Sequence, residues 1–397
     1  MVIQRLRPLF SGQGVQVEVL SAELASRGIE TTILTAGQGP NPRWETINGY
    51  RVRRLRADVP VVSSWFRHGR FRSEIFGIRA LLWFLWRGWR TQIVHAHALS
   101  DALYTTWLFS RLRRIPLIFE MTLLGADDAH SFATNRLRFS RLRNAIFRRC
   151  DGYVAISPAL ARVYEDAGLP KEKLRLIPQG VDTDRFCPAD DRPAIRNRLG
   201  LPATGPLLVF VGSLIERKGI DVLLAAWDTT HARAPDATLV LVGVNTFDDE
   251  PSAAEFLEAR LAALSEGARQ RVVQPGVRDD VDQFLRAADL FVFPSRREGF
   301  GTVMIEAMAC GIPCIVAALP DITDFIFDTE EMSGVVVPQE DAKALAAETV
   351  RLLEDPQRAR RIGDAGRRRA VDRFSVSGVA DDYLDFYAEL TALRGGG

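Results

Sequence analysis

The stretch FVFPSRREGFGTVMIEAMACGIPCIVA, residues 291–317, is the clearest indication of the fold of this chain. It opens with an apolar run typical of a buried β-strand, which stops at Pro294. A loop with two glycines leads into a helical run that ends at Gly311, and residues 314–316 predict a second strand. A strand, a glycine loop, a helix and a strand in this order form half of a parallel, doubly wound sheet, so we predict an α/β fold.

Two carboxylates lie in this stretch, Glu298 in the loop and Glu306 inside the helix. Glu306 stands between Ile305 and Met308 on an otherwise apolar helix, where an unpaired charge is costly, so it needs a hydroxyl or a cation as partner. Open α/β sheets bind ligands at the carboxyl ends of their strands, and this loop therefore predicts a ligand site. The alternative is a helix N-terminal acid beside a buried structural one.

The spacing of these glutamates, with SRREGFG before the helix and EAMACGIP within it, resembles the Glu-x7-Glu element of the family 4 (group 1) retaining nucleotide-sugar glycosyltransferases. The resemblance implies a GT-B fold, in which two Rossmann-like domains face across a cleft and a C-terminal helix crosses back to the first domain. In that family the second glutamate accepts hydrogen bonds from the donor ribose, and the first lies near the transferred sugar. Glu306 and Glu298 occupy these two positions.

A second loop resembles another donor-binding element of the family. Residues 212–219, GSLIERKG, follow an apolar run and are similar to a GRL..KG pattern in which an arginine and a lysine hold the donor diphosphate. Lys218 matches the lysine, Ser213 stands in the arginine position, and Arg217 is the candidate substitute. The alternative is a solvated basic turn. The other donor-side residues that the resemblance implies are Gly212, Gly276, Val277, Gly299, Phe300 and Gly301.

The N-terminal half begins with a predicted short strand, residues 1–6, and a helix predicted over residues 15–26. The loop between them resembles the GGxG loop of the family, whose backbone contacts the donor diphosphate or the acceptor. Its candidate residues here are Gly12, Gln13 and Gly14. A tight strand-to-helix turn would use the same glycines, so the loop alone is a weak signal.

Polar residues follow two later strands of this half. The run IVHAH ends at His97 and resembles the family strand that ends in HxH at the cleft. Many relatives have a histidine after the next strand, close to the sugar, but here Glu120 is followed by Met121 and Thr122. This difference leaves the identity of the sugar open. Glu120, His97 and Asp127 are the candidate cleft residues.

The charge of the chain is divided between its halves. Residues 1–150 contain 23 arginines and 10 acidic residues, which gives 23 − 10 = +13, while the remaining 28 basic and 40 acidic residues give −12. Such asymmetry concerns partners rather than fold. The N-terminal half is expected to meet an anion, either a phosphate-bearing acceptor or a membrane surface. Nucleic acid is not expected, because no nucleic-acid-binding module is visible.

Two basic stretches of that half are also aromatic or apolar. Residues 63–90 alternate four tryptophans with arginines and predict a helix from about residue 73, and residues 135–143 have a similar pattern. This composition suits a helix that lies on anionic lipid. A core-facing helix with an arginine-rich solvent face is the alternative.

The four cysteines form neither a CxxC pair nor a cluster with histidine, so neither a disulfide framework nor a metal site is expected. The longest apolar run, residues 80–86, is seven residues, far below the ~20 that span a bilayer. We see no cleavable signal peptide and expect a cytoplasmic protein, either free or peripheral on the inner face of the membrane.

These features predict a retaining hexosyltransferase of cell-surface polysaccharide or glycolipid synthesis. Its partners would be a nucleotide-diphosphate sugar and a glycan or lipid-linked acceptor, and no metal or other cofactor is expected. We predict an acceptor-side domain over residues 1–188, a nucleotide-sugar-binding domain over residues 189–375 and a returning helix over residues 376–397, with a linker at residues 187–206. A nucleotide-sugar epimerase or hydrolase and a non-catalytic nucleotide-sugar-binding scaffold are the alternatives. The participation of a protein nucleophile stays open.

Overall fold

The computed structural model shows two α/β units. One comprises Met1–Gly180 and Val376–Gly397, and the other Val181–Ser375. The structure describes residues 1–7, 12–37, 41–56, 72–97, 102–134, 140–244, 253–328 and 330–395. Parts of both basic stretches, residues 63–71 and 135–139, therefore lie outside the described residues.

The first unit is built on strands that run parallel to one another apart from one edge strand. The strands are β1 Thr32–Gly37, β2 Trp44–Ile47, β3 Tyr50–Arg56, β4 Val94–His97, β5 Leu117–Met121, β6 Gly152–Ala155 and β7 Leu174–Leu176. They are ordered β2-β3-β1 and β4-β5-β6-β7, and only β2 is antiparallel to its neighbour. This order brings the carboxyl ends of β4 and β5 together.

The predicted first strand is reduced to a single bridging residue. Val2 forms parallel bridges to both Leu34 of β1 and Ala96 of β4, and so joins the two groups of strands. Its backbone N–H donates to the carbonyl of His95 at 2.8 Å, and its carbonyl accepts from the N–H of His97 at 2.9 Å. The prediction of a regular strand over residues 1–6 was wrong in extent, because the ladder pairs stop within this short segment.

Helices cover this sheet, and the last helix of the chain belongs to the same unit. The helices are α1 Gly12–Ser26, α2 Arg72–Arg87, α3 Ala102–Arg113, α4 Ala129–Thr134, α5 Ser140–Phe147, α6 Pro158–Asp166 and, from the C-terminus, α16 Val376–Gly395. Arg175 fixes α16 with two hydrogen bonds to Glu389, at 2.6 and 2.7 Å, and Arg394 forms a 2.5 Å ion pair with Asp151. The C-terminal helix therefore completes the unit that the N-terminus begins.

The second unit has a fully parallel sheet ordered β10-β9-β8-β11-β12-β13. The strands are β8 Leu207–Val211, β9 Thr238–Val242, β10 Val272–Gly276, β11 Leu290–Phe293, β12 Cys314–Ala317 and β13 Val335–Val337. The helices are α7 Arg192–Leu199, α8 Ile220–Arg233, α9 Ala253–Ala262, α10 Glu266–Gln270, α11 Val281–Ala287, α12 Thr302–Ala309, α13 Thr323–Ile326, α14 Ala342–Glu354 and α15 Pro356–Phe374.

Residues 291–317 form β11, α12 and β12 at the centre of this unit. Every residue of β11 and β12 is buried, as expected for parallel strands that helices cover on both faces. The rings of Phe291 and Phe293 lie 5.7 Å apart, and the Phe293 ring lies 5.8 Å from that of Phe210 on the neighbouring strand β8. The predicted α/β class is therefore confirmed, and β11 lies beside β8, which carries the other predicted donor loop.

The first unit ends at Gly180, earlier than the predicted boundary at residue 188. The N–H of Val181 donates to the carbonyl of Phe374 at 2.7 Å, and Arg185 donates to Asp282 at 2.8 and 2.9 Å. These hydrogen bonds attach the segment after Gly180 to the second unit, and they could not be seen from composition.

The predicted linker over residues 187–206 is also partly regular, because it contains α7. Asp191 caps this helix by accepting a hydrogen bond from the N–H of Ala194 at 2.9 Å. The guanidinium of Arg196 donates to the carbonyl of Ala287 at 2.9 Å and to Asp289 at 2.7 Å. The Pro, Asp and Gly residues here are thus caps and turns around a docked helix rather than a hinge.

No helix among the described residues has the length and apolar character that crossing a bilayer requires.

Candidate donor-binding site

The loops that follow the neighbouring strands β8 and β11 meet through a buried ion pair. The Nζ of Lys218 donates to Oε1 of Glu298 at 2.5 Å, and the hydroxyl of Ser295 donates to the same oxygen at 2.6 Å. The guanidinium of Arg217 lies 3.9 Å from Oε2 of Glu298. Lys218 and Arg217, predicted to hold the diphosphate, and Glu298, predicted to lie near the sugar, are our candidate catalytic residues, and they lie together although 80 residues separate the lysine from the glutamate.

This pair is shielded from solvent. The Glu298 residue is only 7% exposed, and the ammonium of Lys218 also lies 5.2 Å from the centre of the Phe293 ring. Burial lowers the pKa of Lys218, and Glu298 opposes that shift. Buried charges are retained where they are paired, since desolvation of a lone ion is expensive. A cation that is held in place in this way is suited to bind an anionic group at the end of the sheet.

Gly219 lets the two loops approach each other. It adopts a left-handed conformation with φ of +71°, and a Cβ at this position would lie 1.9 Å from the carbonyl oxygen of Pro294. The N–H of Arg296 donates to the carbonyl of Arg217 at 2.9 Å, and the Arg217 side chain donates to the carbonyl of Arg297 at 2.7 Å. Lys218 therefore supplies a charge, and Gly219 allows the close contact between the loops that positions this charge.

Arg296 holds the same two loops from outside the ion pair, and the sequence analysis missed this role. Its guanidinium donates to both carboxylate oxygens of Asp221 at 2.8 Å and also pairs with Glu340. These hydrogen bonds lower the pKa of Asp221 against the effect of its partial burial. The two adjacent arginines in SRREG were a signal, but no local pattern identified Asp221 as the partner.

The glycines predicted to frame the donor lie along one edge of the sheet. Gly276 ends β10, and its carbonyl accepts from the N–H of Gly243, which follows β9, at 3.0 Å. Gly212 follows β8, and its N–H donates to the carbonyl of Val242 at 2.9 Å. The carboxyl ends of these strands thus lie beside one another. This row leads from Gly276 and the exposed Val277, through Gly212 and Ser213, to the loop that contains Gly299 and Gly301.

Phe300 was predicted to bind the donor, but its side chain is part of the core. Its exposed fraction is 1%, and its ring lies 5.8 Å from that of Phe374 and 6.4 Å from that of Phe325. Only its main chain is therefore available to a ligand. The aromatic side chain packs the loop against Phe374 of α15, the last helix of the unit. This long-range contact could not be predicted from the local sequence Gly-Phe-Gly.

Glu306 lies in the second turn of α12, the helix that follows the loop after β11. No hydrogen bond to its carboxylate occurs within the described part of the chain. Burial raises the pKa of Glu306 to about 7, nearby Arg185 lowers it, and Asp282 raises it further. The partner that the sequence analysis required is thus not supplied by a protein hydroxyl or a direct ion pair. The carboxylate is available to hydroxyl donors of a ligand.

In the first unit, His95, His97 and Glu120 form a buried network at the ends of β4 and β5. Nε2 of His95 lies 3.3 Å, and Nδ1 of His97 3.2 Å, from the Glu120 carboxylate. Two tyrosines of α16 complete the network: the Tyr383 hydroxyl donates to Glu120 at 2.7 Å, and that of Tyr387 lies 2.8 Å from Nδ1 of His95. The candidates Glu120 and His97 are therefore joined, and the sequence analysis missed both tyrosines.

The charges of this network are set by burial and by hydrogen bonds. Burial, aided by His97, lowers the pKa of His95 to about 4. Burial alone would raise the pKa of Glu120, but the two histidines outweigh it and hold that pKa below its ordinary value. Ligating atoms of the three side chains lie within 4.8 Å of one another, so they could hold a divalent cation. The hydrogen bonds already engage Glu120 and His95, and the expected absence of a metal stays a prediction.

Asp127, the third candidate of this unit, is occupied by its own loop. Its carboxylate accepts hydrogen bonds from the N–H groups of Thr122 and Leu123, at 2.9 and 2.6 Å, and from the Thr122 hydroxyl at 2.5 Å. Burial raises the pKa of Asp127 to about 6, against the effect of these hydrogen bonds. Asp127 therefore shapes the turn after β5, where many relatives would have the histidine that this chain lacks.

Gly12, Gln13 and Gly14 form the first turn of α1 rather than a separate loop before it. The predicted helix start at residue 15 was thus three residues late, because the glycines were taken as helix breakers. The amide nitrogen of the Gln13 side chain is buried without a hydrogen-bond partner among the described residues. The backbone N–H groups of a helix start are well suited to an anionic ligand.

The comparisons with known proteins agree with this arrangement. Residues 10–185 match the family model described as Glycosyltransferase Family 4, and residues 191–369 match that of glycosyl transferases group 1. D-inositol 3-phosphate glycosyltransferase of Xylanimonas cellulosilytica is 32% identical, with 96% of this chain and 93% of the relative covered. The enzyme of the same name from Salinispora tropica is 35% identical, with 96% and 81% covered.

Solved structures give the same fold. Sucrose-phosphate synthase from Thermosynechococcus elongatus has a TM-score of 0.78 at 26% identity, with 99% of this chain and 98% of that chain covered. The Anabaena protein HepE, solved with UDP and glucose, has a TM-score of 0.77 at 18% identity, with 98% of each chain covered.

Two Rossmann-like units, together with the solved structures of the same fold, define the GT-B class, and the family models and curated relatives make the chain a glycosyltransferase of the nucleotide-sugar type. The chain belongs to the group 1 glycosyltransferases.

Replacing Lys218 tests the ion-pair site. Lys218→Met leaves Glu298 with only the more distant Arg217 and removes the charge that would stabilise a leaving diphosphate, so we expect kcat to fall about 10²–10³-fold. The control is Lys343→Met, an exposed lysine of the same unit. Initial rates of nucleoside diphosphate release measure the effect. Equal rates for the two variants would show that Lys218 does not act on the reaction.

Glu306 predicts a pH dependence of stability. Its folded pKa of about 7 exceeds the ordinary glutamate pKa of 4.5, so ionisation opposes folding as the pH rises from about 4.5 to 7. The free energy of unfolding of the natural chain should therefore fall by roughly 1–3 kcal/mol relative to Glu306→Gln across this window. Urea unfolding at pH 4.5, 6 and 8 measures the difference. A constant difference would contradict the raised pKa.

Proposed function

We propose that this glycosyltransferase transfers a hexose with retention of configuration from a nucleotide-diphosphate sugar to a lipid-linked glycan. The observation that carries the proposal is the buried cluster of Lys218, Glu298 and Ser295 beside Gly212, at the carboxyl edge of the sheet. The cluster presents fixed positive charge beside a carboxylate, which suits a sugar diphosphate.

Each group has a distinct part in the proposed reaction. Lys218 and the adjacent Arg217 hold the donor diphosphate. The Glu306 carboxylate accepts hydrogen bonds from the ribose hydroxyls. Glu298 orients Lys218 and lies near the sugar. The bond between the anomeric carbon and the diphosphate oxygen breaks, and Lys218 and Arg217 stabilise the charge that develops on that oxygen.

Retention follows from attack on the face that the diphosphate leaves. The acceptor hydroxyl bonds to the anomeric carbon on that face, and its proton passes to the departing diphosphate. The transition state has oxocarbenium character, which the nearby phosphate charge stabilises. The two cationic side chains then take the part that a divalent cation has in other nucleotide-sugar enzymes, so we propose that no resident metal is needed.

The acceptor is inferred to carry phosphate. The relatives named above act on D-inositol 3-phosphate, and the +13 charge of residues 1–150 favours an anionic partner. We propose that this phosphate belongs to the lipid-linked glycan rather than to a free polyol phosphate, because the same half exposes aromatic residues beside arginines. The setting would be cell-surface polysaccharide or glycolipid synthesis, with the enzyme peripheral on the cytoplasmic face of the membrane.

A nucleotide-sugar epimerase or hydrolase is the competing function, since it would use the same donor site. It predicts that the donor is consumed at the same rate with and without an acceptor. The arginine-rich first unit favours transfer, because neither of these reactions needs a large anionic partner.

The stereochemistry and the metal requirement can be tested together. With a donor sugar of known anomeric configuration, ¹H NMR of the product should show the same configuration, and 5 mM EDTA should change the rate less than about twofold. Lys218→Met in the same assay is the control for enzyme-dependent turnover. An inverted product would overturn the retaining mechanism, and loss of activity in EDTA that Mg²⁺ or Mn²⁺ restores would overturn the metal-free one.

A further inference from the structure

Helix α2 is apolar on two opposite faces. Phe76, Ala80 and Phe84 recur every fourth residue and form the buried face, and Gly88, the first residue of the turn after α2, continues it. The Phe84 ring stacks on that of Phe109 in α3, with 4.4 Å between the centres. This face already supplies the contact with the unit, so packing does not account for the apolar residues on the other side of the helix.

The opposite face exposes large apolar side chains. Trp86 is 80% exposed, Trp89 63% and Leu82 60%. With Ile78 and Leu85 these residues recur at helical spacing along α2 and the 3₁₀ turn Gly88–Arg90 that continues it, so they form one surface, which we call the α2 outer face. A surface helix normally has one apolar face, which packs on the core, and soluble monomers rarely expose a second contiguous apolar patch without a partner.

The charge around the α2 outer face is positive. Residues 75–119 contain six arginines and one acidic residue, Asp101. Arg87 and Arg90 are exposed at the end of α2, and neither forms an ion pair with a described residue. The Arg113 guanidinium lies 4.5 Å from the centre of the Trp89 ring. Aromatic side chains and arginines therefore lie at the same place.

The neighbouring helices extend this character. On α3, Leu112 is 62% exposed and Leu108 40%, and on α5 Leu142 is 52% exposed beside the exposed Arg141. Arg143 of α5 donates to the Tyr104 hydroxyl of α3 at 3.0 Å, which joins these two helices. Exposed leucines and arginines thus recur on three helices that pack in sequence, α2 on α3 and α3 on α5.

We propose that the α2 outer face docks on the surface of an anionic lipid bilayer, with Trp86 and Trp89 at the level of the headgroups. Tryptophan favours that level because its ring is apolar and its N–H is polar, and arginine can place its stem among apolar groups while its charge meets lipid phosphate. The docking deepens the proposed function, on which it rests, because it would bring the enzyme to a lipid-linked acceptor.

The charge also distinguishes this partner from a second copy of the chain. A symmetric dimer through the α2 outer face would bring the same patch, with Arg87 and Arg90, against itself. Like charges across an interface are unfavourable. Anionic lipid supplies the opposite charge over a flat, extended area, which fits a helix that lies on the surface.

The test measures binding of the full chain to vesicles, by co-flotation. The natural chain should bind vesicles of equal parts phosphatidylglycerol and phosphatidylcholine, and bind pure phosphatidylcholine at least tenfold more weakly. Trp86→Ala with Trp89→Ala should weaken binding to the anionic vesicles at least tenfold. Arg87→Gln with Arg90→Gln should weaken it and reduce its salt dependence. The control is Leu393→Ala on α16, a 71% exposed residue that should leave binding unchanged.

The outcomes separate this proposal from the proposed function. A nucleoside diphosphate should raise the melting temperature of the tryptophan variant as much as that of the natural chain. If the natural chain shows that shift but does not bind anionic vesicles, or if the tryptophan variant binds them equally well, the membrane proposal is overturned alone. A dimer that these substitutions dissociate would assign the face to a second copy. Vesicle binding without any nucleotide shift would instead overturn the proposed function.

Discussion

The contact between Lys218 and Glu298 is the interaction on which the second unit depends for a usable site. A lysine that faced solvent would be mobile and hydrated, whereas here the 2.5 Å ion pair with Glu298 and the Phe293 ring fix its ammonium group, and the Ser295 hydroxyl holds the Glu298 carboxylate in turn. Desolvating two charges is costly, and replacing a buried pair by apolar residues is often neutral or stabilising. The pair is therefore better explained by a need for placed charge than by stability.

The fold provides this contact through the order of its strands. β8 and β11 are neighbours although many residues separate them in the chain, so their carboxyl-end loops must share one edge. Gly219 permits the loops to approach, and Arg296 clamps them through Asp221. Strand order also brings residues together in the first unit. His97 and Glu120 are register partners on adjacent strands, and tyrosines from the C-terminal helix complete their network.

Much of the second unit could be predicted from the sequence, because its strands are continuous apolar runs bounded by glycine and proline. The residues Lys218 and Glu298 were predicted separately, from motifs, but their contact depends on tertiary structure. For Phe300 and Asp127, the role of the side chain could not be predicted from the local pattern. Phe300 was predicted to bind the donor and Asp127 to lie in the cleft. The Phe300 side chain is part of the core and Asp127 organises a turn, and neither burial nor hydrogen-bond partners are visible in a local pattern.

The first unit was harder to predict. A first strand reduced to one bridging residue, and two tyrosines that contribute from the far end of the chain, leave little local signal. The sequence predicts a helix from about residue 73. Only the structure shows that Phe76, Ala80 and Phe84 form its buried face, while Trp86 and Trp89 are exposed. The choice between a core helix and a surface helix therefore required the packing.

The central claim is that the edge of the second sheet, with Glu306, binds a nucleotide-sugar donor. The most direct measurement is the melting temperature of the full chain against a panel of nucleoside diphosphates and nucleotide sugars, for the natural chain, Glu306→Ala and the exposed control Glu258→Ala. We expect one nucleotide to raise the melting temperature of the natural chain and of the control, and Glu306→Ala to remove the shift. No shift with any nucleotide, or an equal shift in Glu306→Ala, would contradict it.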